Sequence, residues 1–395
     1  MITGTILKNV NVVDVIHEQV KEFVHVVVED DRIAEIGSRL PDEHNDRYQV
    51  VDLDGRFAVP GLIDLHTHLI WSGGNDPEKT VEEDGFQVSV LRAADNAYRT
   101  LKAGITCVRD LGSHCNATIE LSRAIEKGYI VGPRVISSGC SIIMTGGHDP
   151  FWGVQADGPV ELVKAVRGQV QRGARVIKIS ATGGVYGRVE GEEVGTEELN
   201  RDEIEAVCEE AHKFGLKVAA HAISEEGIWN CIEAGVDTIE HGHFLTEDAV
   251  REMKNRNIFW VPTLFVYRQI AEGKGLPEYA VTKSRKIIDA HRSAFKRAVE
   301  VGVHLAAGSD AGSPNTPHGS LIDEILCMVA YGYSSREALK AATISGACAL
   351  GLDHDIGSLD AGKKADIVVL EKNPILDIAS LRSLVCVFKD GKLVA

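Results

Sequence analysis

Two histidines separated by one residue, His66 and His68, end an apolar run that starts at Gly61. Side chains alternate along a β-strand, so residues i and i+2 leave the same face of the chain. Two imidazoles therefore lie side by side where this strand would end, and paired imidazoles suit zinc and other borderline divalent metals. Because two structural histidines would give the same pattern, a metal site is predicted only if further ligand types accompany them.

Further residues of metal-binding type occur in or at the ends of other short apolar runs. These residues are Lys178, His221, His241 and Asp310. When parallel strands form a barrel, their carboxyl ends meet at one face, where active sites are built. The positions of these residues therefore predict one shared site.

Lys178 admits two interpretations. It lies within the apolar segment 176–180, where an unpaired charge would be costly. In the first interpretation its ammonium group pairs with Asp310 or Glu240. In the second, CO₂ has carboxylated it, and the anionic carbamate bridges two cations. Four imidazoles, a carbamate and a carboxylate would then suffice for the two-metal arrangement of many hydrolases.

The elements that must position these residues are eight short apolar runs separated by longer amphipathic segments. The runs are Leu62–His68, Ile105–Asp110, Arg134–Ser138, Val176–Ser180, Lys217–His221, Thr238–His241, Phe259–Thr263 and His304–Asp310. This alternation is typical of βα units, and eight of them predict an α/β fold of the (β/α)₈ TIM-barrel type over residues 59–352.

Both ends of the chain have a different pattern, rich in short β segments. Residues 1–58 contain three such segments, and residues 353–395 contain a strand pattern followed by a hairpin around Asp390-Gly391. We expect the two ends to form one small β-sandwich domain beside the barrel.

Composition excludes some classes of partner. The 395 residues carry a formal charge of −16, whereas nucleic acids and anionic membranes attract basic surfaces. The eight cysteines form no CxxC pair, and neither a signal peptide nor a membrane-spanning run is recognised. We therefore expect a cytoplasmic protein with a small-molecule substrate. Barrel hydrolases often form homo-oligomers, but no sequence feature here sets a symmetry.

The combination of motifs resembles the amidohydrolase superfamily. It consists of the Gly-Leu-Ile-Asp-Leu-His-Thr-His segment 61–68, the strand lysine Lys178, His221, His241 and the Ser-Asp-Ala sequence around Asp310. The strand lysine is typical of the binuclear-metal branch, in which this lysine is carboxylated. The resemblance covers nearly the whole chain and implies hydrolysis of a carbon–nitrogen bond.

Within the superfamily, the chain resembles the prolidase-like and imidazolonepropionase-like amidohydrolases. The supporting segments are Thr-Gly-Gly-His at 145–148, Ile-Ser-Ala-Thr-Gly-Gly-Val at 179–185 and Glu-His-Gly at 240–242. Related enzymes include dipeptidases that release a C-terminal Pro, Arg or Lys and hydrolases of N-acyl amino acids. The resemblance implies cleavage of a dipeptide (Xaa-Pro-like) or an N-acyl amino acid, by attack of a hydroxide that bridges two metals.

The resemblance also implies a role for each matching residue. His66, His68 and Asp310 would bind one divalent metal, His221 and His241 the second, and carboxylated Lys178 would bridge them. Zinc is the expected metal, although the ligand set also admits manganese or iron. Asp310 would transfer the proton from the attacking hydroxide to the leaving amine, and His148 would polarise the substrate carbonyl.

One position departs from the family pattern. Related dipeptidases often carry Tyr or His two residues after the strand-five histidine, where this chain has Ile223. Candidates for the missing substrate contact are His243, Tyr186, Arg188, Tyr267 and Arg268. Two alternatives to peptide hydrolysis stay open. One is opening of a cyclic amide such as a lactam or imidazolone, and the other is a barrel scaffold without catalysis.

Overall fold

The computed structural model describes residues 4–39, 47–187 and 192–395. Its strands are β1 Gly4–Asp14, β2 Gln19–Glu29, β3 Arg32–Gly37, β4 Tyr48–Asp52, β5 Phe57–Pro60, β6 Leu62–Thr67, β7 Ile105–Asp110, β8 Arg134–Ser137, β9 Ile142–Ile143, β10 Val154–Gln155, β11 Val176–Ser180, β12 Lys217–Ala222, β13 Thr238–His241, β14 Phe259–Val261, β15 Ile367–Leu370, β16 Leu384–Lys389 and β17 Lys392–Leu393.

The α-helices follow most of the inner strands. They are α1 Pro77–Lys102, α2 Ala117–Glu126, α3 Gly158–Arg172, α4 Arg201–Lys213, α5 Glu225–Ala234, α6 Glu247–Asn255, α7 Leu264–Glu272, α8 Glu278–Val301, α9 Leu321–Ala330, α10 Ser335–Ala341 and α11 Ile344–Leu350. None of the helices in the described ranges is both long and apolar enough to cross a membrane.

The strands from the two ends of the chain share one sheet, as the sequence predicts. Its order is β17-β16-β15-β5-β1-β2-β3, with β4 also paired to β1. The two ends join where β5 runs antiparallel to β15, with Pro60 opposite Ile367. In the hairpin between β16 and β17, Asp390 and Gly391 have φ values of 48° and 74°, which suit a tight two-residue turn.

The inner strands are parallel and buried on both faces. They form a three-stranded sheet, β6-β7-β8, and a six-stranded sheet, β10-β9-β11-β12-β13-β14. A backbone hydrogen bond of 2.9 Å from Arg175 to Ser137 connects the two sheets. Every residue of β6, β7, β11 and β13 is buried, as expected for parallel strands covered by helices.

Two of the eight predicted strands differ in the structure. The run predicted at Phe259–Thr263 is a strand only to Val261. The run predicted at His304–Asp310 is not a regular strand and makes a single bridge, from Leu305 to Trp260. The reason is that its backbone groups bond to several different partners, including Ala341 and the side chain of Asp64, so no continuous ladder forms.

The connections at the carboxyl ends of the parallel strands begin their helices with polar caps. Asn200 and Glu203 form a reciprocal capping box at α4, and Ser224 and Thr246 cap α5 and α6. Such caps satisfy the free N–H groups of the first turn. They fix where each loop ends, and these loops surround the predicted site.

Candidate active site

All six predicted metal ligands line one cavity at the carboxyl ends of the parallel strands. His66 comes from β6 and His68 directly follows that strand. Lys178 comes from β11, His221 from β12, His241 from β13, and Asp310 from the segment after Leu305. The free volume of the cavity is about 40 Å³, which leaves room for only a few atoms of water size between the side chains.

The closest convergence in the cavity involves His66, His241 and Asp310. Each offers one ligand atom, and these atoms lie within 4.8 Å of one another. Asp310 Oδ1 lies 3.4 Å from His68 Nε2 and 3.8 Å from His66 Nε2. His241 and Asp310 have positive φ values of 70° and 58°, a region that residues other than glycine seldom adopt. Both residues with this unusual backbone conformation contribute ligand atoms to the convergence.

Each of the four histidines in the cavity wall contacts a neighbouring group that orients its ring. His66 Nδ1 lies 2.8 Å from Glu240 Oε2, and His241 Nδ1 lies 2.8 Å from Thr263 Oγ1. His68 Nδ1 lies 3.4 Å from the Gly112 carbonyl oxygen, and His221 has a hydrogen bond to the backbone of Gly183. Metal-binding histidines are typically oriented in this way, with the other ring nitrogen left for the metal.

Glu240 is part of a buried network beneath His66. Its second oxygen, Oε1, accepts hydrogen bonds from Arg109 Nη2 at 2.7 Å and from the hydroxyl of Thr238. Arg109 also donates to the Leu65 carbonyl oxygen through Nε at 2.7 Å. Arg109 and Glu240 have no solvent exposure. Their mutual neutralisation makes it possible to bury both charges.

Lys178 makes no hydrogen bond or ion pair with any of the described residues, and it is 5% exposed. The partners considered from the sequence are occupied otherwise, since Glu240 binds Arg109 and His66, and Asp310 Oδ1 accepts from Ser313. Burial lowers the pKa of Lys178, although Glu240 and Asp310 act in the opposite direction. The interpretation of Lys178 as a member of a simple ion pair therefore finds no support in the geometry.

The residues present fit divalent metal binding. Burial lowers the pKa of His66, His68, His221 and His241 well below the ordinary value for histidine. Neutral imidazole is the form that binds metals. In addition, His221 Nε2 is buried without a hydrogen-bond partner among the described residues, and an unpaired buried nitrogen is costly unless something binds it.

His148 lies against the cluster, with its ring centroid 4.3 Å from that of His221. Its Nδ1 lies 2.7 Å from Glu192 Oε1, and its Nε2 lies 3.3 Å from Asp149 Oδ2. Burial would lower the pKa of His148, but Asp149, Glu192 and Glu198 raise it to about 9. These neighbouring carboxylates therefore favour the protonated form of His148, which is a strong hydrogen-bond donor.

The predicted substrate-contact residues divide into two groups. Tyr186 and Tyr267 line the cavity. The Tyr186 hydroxyl binds Asp76 at 2.7 Å, which ties the loop after β11 to the start of α1. The Tyr267 hydroxyl has no hydrogen-bond partner among the described residues, so it is available to a ligand.

The other predicted contacts do not reach the cavity. Arg268 follows Tyr267 on α7, but a turn of about 100° per residue directs it away, and it pairs with Glu272 at 3.4 Å. His243 is fully buried behind Tyr267, with ring centroids 4.1 Å apart. Ile223 is also fully buried and does not line the cavity. Arg188 lies outside the described residues.

Asp149, Arg109 and Glu192 also belong to the site, in addition to the residues expected from the sequence. Arg109 has a signal in the sequence, because it is a charged residue inside an apolar strand, as Lys178 is. Asp149 lines the cavity and directly follows His148. Glu192 has no comparable signal, since only the path of the loop after β11 brings it to His148.

Comparison with known proteins agrees with this geometry. The family model described as "Amidohydrolase family" matches residues 57–394. The ochratoxinase of Aspergillus niger is 31% identical over 370 residues, which cover 85% of this chain and 75% of that protein. The imidazolonepropionase of Fusobacterium nucleatum is 24% identical over 418 residues, with 95% and 92% covered.

A solved structure extends the similarity to the whole fold. The crystal structure of a Xaa-Pro dipeptidase with methionine bound in its active site superposes with a TM-score of 0.91 at 30% identity, and 99% of each chain is covered. Neighbours of this kind imply a (β/α)₈ barrel with a β-sandwich domain. The predicted resemblance to prolidase-like and imidazolonepropionase-like proteins is confirmed, and this chain belongs to the amidohydrolase family.

Proposed function

We propose that this protein is a metal-dependent hydrolase that cleaves the peptide bond of a dipeptide or the acyl bond of an N-acyl amino acid. The observation that carries the proposal is the convergence of four histidines, Lys178 and Asp310 on one small cavity. Similarity to a Xaa-Pro dipeptidase supports the choice of an amide between two amino acids.

The proposed cofactors are two divalent metal ions, with zinc as the expected metal. His66, His68 and Asp310 would hold one ion, and His221 and His241 the other. The bound ions would supply positive charge that polarises the carbonyl group and lowers the pKa of water. Lys178 would be shared between them as a carbamate. Its neutral amine would add to the carbon of CO₂ and lose a proton, and burial favours the neutral amine because it lowers the pKa of Lys178.

The residues of the chain would then perform the proton transfers. Asp310 would accept a proton from the attacking water and deliver it to the leaving nitrogen as the C–N bond breaks. In the site without metal, burial raises the pKa of Asp310 to about 6. Bound cations would lower this pKa, so the carboxylate would start ionised and able to accept a proton. The cationic His148 would donate a hydrogen bond to the carbonyl oxygen as negative charge develops there.

A cyclic amide is the second candidate substrate. The specific observation in its favour is the similarity to an imidazolonepropionase over 95% of the chain. The same metal ligands would serve both reactions, so the shape of the pocket distinguishes them. The alternative of a scaffold without catalysis is disfavoured, because packing alone does not require four histidines and a lysine around one cavity.

The proposal includes a closed barrel over residues 59–352, flanked by a β domain built from 1–58 and 353–395. Hydrogen bonds across both gaps between the parallel sheets support closure, for example from Asp310 to the His66 carbonyl oxygen at 2.8 Å and from Arg175 to Ser137 at 2.9 Å.

The test combines elemental analysis of chelator-free protein with a screen of dipeptides, N-acyl amino acids and cyclic amides. About two metal ions per chain together with turnover of related dipeptides or N-acyl amino acids would support the proposal. Two ions with turnover of ring amides only would favour the second candidate. Protein that takes up no metal, even when bicarbonate is supplied, would contradict both.

A further inference from the structure

Asp149 is a carboxylate of the cavity wall with an unused oxygen. Its side chain is 14% exposed, and Oδ1 is buried without a hydrogen-bond partner among the described residues. Its other oxygen, Oδ2, lies 3.3 Å from His148 Nε2. A buried carboxylate oxygen without a donor is costly, so Oδ1 is a position that favours binding of a hydrogen-bond donor.

The backbone holds Asp149 firmly in this position. The preceding N–H, that of His148, lies 2.9 Å from each carboxylate oxygen of Glu198. The Asp149 carbonyl oxygen accepts hydrogen bonds from Trp152 at 3.4 Å and Gly153 at 3.2 Å. Asp149 itself has a φ of 59°, which aspartate tolerates better than most residues. The carboxylate is thus a fixed feature of the wall and not a mobile surface group.

Together, His148 and Asp149 present a donor and an acceptor side by side. His148 Nε2 and Asp149 Oδ2 are 3.3 Å apart. In an α-aminoacyl group, standard bond lengths place the carbonyl oxygen and the α-nitrogen about 3 Å apart. One such group can therefore give its carbonyl oxygen to His148 and its ammonium to Asp149 at the same time.

We propose that Asp149 binds the free α-ammonium group of the substrate, so that the preferred substrates are dipeptides with an unblocked amino end. This inference rests on the proposed amide hydrolysis and narrows its substrate class. An N-acyl amino acid offers no cation to Asp149, so Oδ1 would stay buried without a donor among the described residues when such a substrate binds. Sites built to bind a polar group discriminate strongly against analogues that lack it.

The experiment uses two substrates that differ only in the amino group, L-alanyl-L-proline and N-propionyl-L-proline. The metal-loaded wild-type protein should prefer the dipeptide by about 100-fold or more in kcat/KM. D149N should lower kcat/KM for both substrates, because Asp149 also contacts His148, but the loss should be roughly 10- to 100-fold larger for the dipeptide. The ratio between the two substrates should therefore fall towards one.

The matched control is E192Q. Glu192 contacts the opposite ring nitrogen of His148 at 2.7 Å and does not line the cavity. E192Q should change kcat/KM for both substrates by a similar factor and leave the ratio between them unaltered. An unchanged ratio in D149N would overturn the inference. Loss of metal from D149N would also overturn it, because Asp149 would then be a metal ligand.

Failure of the inference is distinguishable from failure of the proposed function. A wild-type protein that hydrolyses N-propionyl-L-proline as well as the dipeptide would refute the inference and leave amide hydrolysis intact. A protein that hydrolyses neither of these compounds nor any other dipeptide or N-acyl amino acid of the screen would contradict the proposed function, and calorimetric titration with the same two compounds would then decide about the inference. Tighter binding of the dipeptide, lost in D149N, would retain the inference, whereas equal binding would refute it.

Discussion

Glu240 Oε2 lies 2.8 Å from His66 Nδ1, and both side chains are fully buried. Arg109 Nη2 lies 2.7 Å from the other carboxylate oxygen of Glu240. Glu240 therefore connects the buried cation Arg109 to the proposed metal ligand His66. A carboxylate in this position orients the imidazole and increases its basicity.

We expect E240Q to lower metal affinity by roughly 10- to 100-fold, since the neutral amide supports His66 less well. Competition with a chromophoric chelator would measure the affinity. The control is E210Q, because Glu210 lies on the outer helix α4 and pairs with Arg167 and Lys213. Equal affinities for E240Q and wild type would show that this contact does not support metal binding.

Lys178 should be essential for metal retention. K178M preserves the apolar stem but cannot form a carbamate, so we expect loss of most bound metal and activity. Elemental analysis and a turnover assay would measure both. K283M provides the comparison, because Lys283 is a half-buried lysine that binds Glu192 at 3.1 Å without lining the cavity. Full metal content in K178M would contradict the role of a carboxylated lysine.

Gly184 leaves room for His148. A Cβ built at Gly184 would lie 2.1 Å from Cε1 of His148 and 2.6 Å from Nε2, so G184A must displace the ring. We expect metal to be retained while kcat falls by about 100-fold or more, the typical effect of losing one donor to a developing oxyanion. G168A is the control, because a Cβ at Gly168 meets no atom within 4 Å. Wild-type kcat in G184A would argue against carbonyl activation by His148.

Glu324 should make stability depend on pH. It is fully buried and accepts hydrogen bonds from the backbone of Leu264 at 2.9 Å and Phe265 at 2.7 Å, at the start of α7. Burial raises the pKa of Glu324 from its ordinary 4.5 to about 8, although these bonds act in the opposite direction. Between these two pH values the folded state retains a proton that the unfolded state has released. The free energy of unfolding should therefore fall as pH rises from about 4.5 to about 8.

In E324Q the side chain at this position is neutral at every pH. The free energy of unfolding of E324Q should therefore fall less than that of the wild type over this pH range. Urea denaturation of metal-free protein at pH 5 and pH 8 would compare the two. E210Q should follow the wild type, because neighbouring cations lower the pKa of Glu210 and its titration lies below this window. Parallel behaviour of E324Q and wild type would show that Glu324 is ionised in the folded protein.

The sequence by itself determined the elements and the inner residues of the site. The alternation of apolar runs and amphipathic segments is a local property, and the strands with continuous ladders, such as β6 and β11, were predictable from it. The ligand types at strand ends were also visible, because parallel strands bring their carboxyl ends to a common face. His66, Lys178 and Asp310 therefore line one cavity although they are far apart in the chain.

Only the tertiary structure decided which other side chains reach that cavity. Arg268 and Tyr267 are adjacent in sequence, yet the direction of α7 places only Tyr267 at the wall. Glu192 reaches His148 only through the path of the loop after β11, which depends on contacts between distant residues. A local sequence pattern shows whether the apolar residues of a segment have the periodicity of a strand or of a helix. The path of a loop and the burial of a charge depend instead on the tertiary packing of the whole protein.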